Sequence, residues 1–114
     1  MNLINRTALI VIPKQPYIDW ANSLDDGVKL NINNPRYEYS LYLIDNVVRE
    51  ADVERVLKQY YVEIFEQELE AWHLKKEDWP KQRGFQTFKR WFELKICSMV
   101  LDLCRERIEL EAVE

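Results

Sequence analysis

Glu68 is the residue of this sequence whose position could do chemistry. From Val53 to Trp72 the apolar residues Val53, Val56, Leu57, Tyr60, Tyr61, Ile64, Phe65, Leu69 and Trp72 recur every three or four positions. That is the period of a helix burying one stripe. On a wheel of about 100° per residue with Glu68 at zero, Leu57 falls at about −20°, Tyr61 +20°, Ile64 −40°, Trp72 +40° and Phe65 +60°. A carboxylate therefore lies at the middle of the apolar stripe. Buried and ionised, it must pair with a cation, take up a proton or reach a wet cleft. In a cleft it is a candidate catalytic acid or base, or a ligand anchor, with Tyr61, Glu66, Trp72, His73 and Trp79 as candidate ligand-binding neighbours. At the sheet edge, locked to a Lys or Arg, it is structural.

The other chemistries are weaker. Trp20, Trp72, Trp79 and Trp91, with Tyr17 and Tyr42, could line an aromatic pocket, but helical spacing sends Trp72 and Trp91 to the core. Trp79, in a loop beside Pro80, is the exception expected at the surface. Residues 79–95 interleave bases with aromatics as a single-strand nucleic-acid platform does. Helical phase separates Phe85, Phe88 and Phe92 from Lys89 and Arg90, however, and the pI is near 5.1, so nucleic acid is not expected as a partner. His73 is the sole histidine, and Cys97 and Cys104 are the two cysteines. No metal site and no cofactor is expected from that set. The cysteines lie beyond disulfide reach at a spacing of seven and read as buried thiols. Asp25-Asp26-Gly27 has too few donors for a calcium loop and reads as a turn. Glycine only at 27 and 84 excludes a phosphate-binding loop.

These residues are positioned by a short series of elements. Thr7 to Ile12, apolar on both faces and stopped by Pro13, is a central strand. Pro16 opens a helix carrying Tyr17, Trp20, Ala21 and Leu24. An Asn-rich connection leads to a second strand, Ser40 to Ile44. Strand–helix–strand order suggests a parallel pair with a right-handed crossover, unless the long connection reverses it. Asp52 can cap the long helix, although Arg55 rather than Glu leaves the capping box incomplete. Phe85 to Phe92 form a short helix. Residues 94–103 alternate as a strand does, while continuation of the preceding helix is the rival reading.

Charge is uneven: seven acids against two bases from Glu50 to Glu70, then seven bases against three acids from Lys75 to Lys95. Adjacent elements commonly stay soluble this way. The length of 114 residues and a 47% apolar fraction fit one globular domain. We expect a domain over 1–104 with an exposed C-terminal tail over 105–114. No stretch reaches the length of a membrane span. Together with the absence of an export signal, this points to a cytoplasmic protein.

The strings Ala8-Leu9-Ile10-Val11-Ile12-Pro13-Lys14-Gln15-Pro16, Glu68-Leu69-Glu70-Ala71-Trp72, Trp79-Pro80 and Phe88-Lys89 through Met99-Val100 resemble a group of short stand-alone bacterial proteins of uncharacterised function. The resemblance implies a compact bacterial α+β domain and no activity. The expectation is an α+β two-layer sandwich, a sheet of about three strands under one long helix and one or two short ones. Its open sheet edges suit a homodimer or a protein partner. The leading functional expectation is a non-enzymatic interaction or regulatory module without a concave pocket at Glu68. The alternative is a small enzyme or ligand-binding protein using Glu68 in a solvent-connected cleft.

Overall fold

The computed structural model describes residues 1–24 and 27–113. In chain order its elements are strands β1 (Asn2–Leu3) and β2 (Thr7–Pro13), helix α1 (Gln15–Ser23), strand β3 (Ser40–Ile44), helices α2 (Val53–Trp72) and α3 (Phe85–Trp91), and strands β4 (Phe92–Cys97) and β5 (Leu101–Asp102). Three-residue 3-10 turns at Glu50–Asp52 and Lys76–Asp78 precede and follow α2. The class is α+β.

The central strand is β2, in a three-stranded sheet of order β3-β2-β4. Leu9 and Val11 are sealed on its helix-facing side, and Ala8 and Ile12 are buried on the other, so every position reads apolar. Both neighbours are antiparallel to it. The parallel crossover suggested by element order does not form, because residues 27–39 bring the chain back to the end of β2 where α1 began. Ser40 thus starts β3 opposite Val11. Asn22 holds this return, its Oδ1 accepting the Leu30 N–H at 2.7 Å. Asp25 and Asp26, read as part of a turn, lie outside the described residues, while Gly27 takes a positive φ of 75° that glycine adopts without strain.

The long helix forms where the apolar period placed it and buries Val56, Leu57, Ile64, Phe65, Glu68 and Leu69. Phe65 is the hub of an aromatic core, with Phe92, Trp91 and Phe88 centroids at 5.5, 5.7 and 5.8 Å. Asp52 makes no side-chain cap. Its carboxylate instead faces the guanidinium groups of Arg49 and Arg55 at 3.1 and 3.7 Å.

Residues 92–97 are a strand. Leu94 and Ile96 pair with Val11 and Leu9 on the helix side, and Lys95 and Cys97 with Ile10 and Ala8 on the other. A helix would have left apolar groups facing water. The strand expected over 94–103 is shorter than that, ending at Cys97, and its far part, Leu101–Asp102, is a separate strand that pairs antiparallel with the unforeseen β1 as a two-stranded sheet. Both cysteines are free but exposed, not buried: Cys97 ends β4 on the uncovered face and Cys104 follows β5. Trp79 is also reversed, only 5% exposed, because the Lys76–Asp78 turn folds the loop onto the end of α2 and the indole N–H donates to the His73 carbonyl at 2.8 Å. Residues 105–113 are exposed and form no helix or strand. No described helix is long and apolar enough to cross a membrane.

Candidate functional site

Strand β3 is an edge strand, and α2 runs across the helix-facing side of the sheet beside it. Positions 60, 63, 64, 67, 68 and 71 share one face of α2, the three- and four-residue spacing that stacks side chains along a helix. Between that face and Ser40–Ile44 lies an open cleft of about 580 Å³, within the range of about 300–1,000 Å³ usual for small-molecule sites. Glu63 and Glu68 line it, and among the described residues no Lys, Arg or His does.

Glu68 is 6% exposed and stands at the floor of this cleft. The Tyr42 hydroxyl, projecting from β3, donates to Oε2 at 2.5 Å. From α1, the Tyr17 hydroxyl donates to the Glu68 backbone carbonyl at 2.6 Å, fixing that turn of α2 in place. No cation pairs with Glu68 among the described residues. Oε1 accepts no described hydrogen bond, yet no described side-chain oxygen is both sealed from solvent and unpaired. This oxygen is therefore open to solvent at the recesses that Glu68 lines.

The phenols around the carboxylate are held neutral. Burial, then the hydrogen bond to Glu68 and its negative charge, pushes Tyr42 far above the ordinary tyrosine value. Tyr17 is raised by burial and then by the Glu68 charge. The same two causes lift Tyr37 to about 12. At neutral pH these groups are donors and apolar walls, not bases.

A second, smaller recess of about 170 Å³ shares Ser40, Glu68 and Ala71 with the cleft. Its other walls are Tyr17, Leu30, Tyr37, Glu38 and Trp72. The Trp72 indole N–H is tied to the Ala21 carbonyl at 3.3 Å.

Of the residues expected beside Glu68, the fold brings in Trp72 and not the others. Tyr61 packs under α3 with its ring 5.3 Å from Phe85 and 6.1 Å from Phe88. Glu66 is exposed and lines neither recess. His73 turns to Asp78, Nε2 to Oδ2 at 2.8 Å, and Trp79 is core. Tyr17 and Tyr42, grouped in the sequence only as aromatics, supply the two hydroxyls. Glu63 and Gln67 were legible as α2 positions flanking Glu68, but nothing local pointed to Tyr37. Among the described residues no cluster of His, Cys, Asp and Glu could hold a metal ion.

The arrangement is a buried carboxylate with one neutral partner, one open oxygen and an acidic surround. Chemically such an arrangement can receive positive charge. No family model, no curated protein and no solved structure matches this chain.

Proposed function

We propose that this protein is a binding protein for a cationic ligand, an ammonium or guanidinium group held in the cleft between β3 and α2 with Glu68 as counter-ion. One observation carries this reading: a carboxylate nine-tenths buried on the cleft wall, with no cation paired to it among the described residues and Oε1 open to solvent. An ionised group so placed loses several kcal/mol of hydration that one phenol does not restore. A ligand cation about 4 Å away regains about 4 kcal/mol at an effective dielectric near 20. Glu63 on the cleft wall adds attraction for the same sign of charge. The two phenols that touch Glu68, Tyr42 at its carboxylate and Tyr17 at its backbone carbonyl, stay protonated and neutral far above neutral pH, so they leave its negative charge for a ligand.

An interaction module is the second reading, supported by Leu41 and Leu43, 56% and 51% exposed on the edge strand beside the cleft. In that case the cation is a Lys or Arg side chain of a protein laid along β3.

A ligand that binds only the folded state raises its melting temperature. Ethanolamine and agmatine should raise it above sodium chloride at matched ionic strength, acetate should not, and Glu68→Gln should erase the difference. Equal effects of amines and sodium chloride would refute the reading.

A further inference from the structure

We infer that the small recess behind Glu68 is an aromatic trap for a methylated ammonium group, such as a quaternary head or a methylated lysine; this rests on the cation-binding reading of the cleft. The recess holds about 170 Å³, too small for a whole ligand of ordinary size and suited to a compact head group. Tyr17, Tyr37 and Trp72 line it, together with Glu68 and the exposed Glu38. A cation against aromatic rings is attracted by their quadrupole, and quaternary ammonium groups are bound by cages of this composition.

Hydrogen bonding selects the methylated form. The Tyr17 hydroxyl is already spent on the Glu68 carbonyl, and the Trp72 indole N–H on the Ala21 carbonyl. The polar groups of both are therefore engaged, and because the Tyr17 ring is itself packed on Trp20, Trp91 and Phe92, the half-buried Tyr37 and Trp72 carry most of the ring surface at the recess. A primary ammonium entering here gives up water on three N–H donors and finds acceptors mainly on the carboxylate side. A trimethylammonium has no N–H to satisfy. It loses little on leaving water and keeps its full charge for Glu68, whose burial limits screening. The shared wall of Ser40, Glu68 and Ala71 lets one ligand place its head in the recess and its remainder in the larger cleft.

The test is calorimetric titration of the full chain with choline against ethanolamine, and with Nε-trimethyllysine amide against lysine amide. We expect each methylated probe to bind at least tenfold more tightly than its counterpart. Binding of the lysine pair alone would assign the trap to a protein side chain, and of the choline pair to a free metabolite head. Tyr37→Leu should bring the ratio near one, while Tyr37→Phe, which keeps the ring, should retain it. Glu68-dependent binding of methylated and unmethylated probes with equal affinity would overturn the trap and leave the cleft reading standing. Failure of all four probes would overturn both.

Discussion

Glu68 exchanges the hydration of its carboxylate for one tyrosine hydroxyl and an opening onto the cleft, and its substitutions separate charge from shape. Glu68→Gln keeps an amide oxygen for Tyr42 and removes the buried charge, so unfolding by urea should show stability unchanged or raised within about 1 kcal/mol. A loss larger than that would mean an ion pair that this geometry does not contain. Tyr42→Phe removes the donor and leaves the carboxylate without its partner, which should cost about 1–3 kcal/mol in the same measurement. The tyrosines fix an alkaline limit. Tyr17, Tyr37 and Tyr42 are raised in the folded protein above their ordinary value of 10.0. Their contribution is therefore complete below pH 10 and is lost as pH climbs through the folded values, with Tyr37 reaching about 12. Absorbance titration should show these phenols ionising together with unfolding; ionisation near pH 10 with the fold intact would contradict their burial.

The long helix α2 was legible because nine apolar residues keep one period through it, and the same wheel that drew the stripe placed Glu68 inside it. Truncating its hub should show how much rests there: Phe65→Ala should destabilise by about 3–5 kcal/mol, whereas Glu66→Ala, on the exposed face, should stay within about 0.5 kcal/mol. Thermal or urea unfolding of the two variants checks both. Strand β2 was legible for a similar reason, being apolar at every position after Thr7. The companions of Glu68 were harder to read. Tyr42 and Tyr17 come from a strand and a helix on either side of the Leu24–Tyr39 connection, and the hydroxyl contacts depend on residues 27–39 returning to the end of β2. Nothing in residues 28–39 states this direction; it is set by where Leu30 is anchored to Asn22. Trp79 was misread because a loop position usually means exposure. Here a 3-10 turn supplied the His73 carbonyl that a buried indole needs.

At the scale of the whole molecule, the three-stranded sheet has helices on one face and two open edges, and the cleft is what lies beneath the β3 edge. Residues 105–113 lie outside this frame apart from Val113, which reaches the cleft mouth. Removing residues 105–114 should therefore change stability by less than about 0.5 kcal/mol, as for other exposed positions. The central claim, that the cleft receives a cation through Glu68, is tested most directly by a nuclear magnetic resonance titration of the isotope-labelled protein with ethanolamine. Saturable shifts should concentrate on Ser40–Ile44 and Glu63–Ala71, and should vanish in Glu68→Gln with the rest of its spectrum unchanged. Shifts scattered over the surface, or persisting at full size in the folded Glu68→Gln protein, would contradict it.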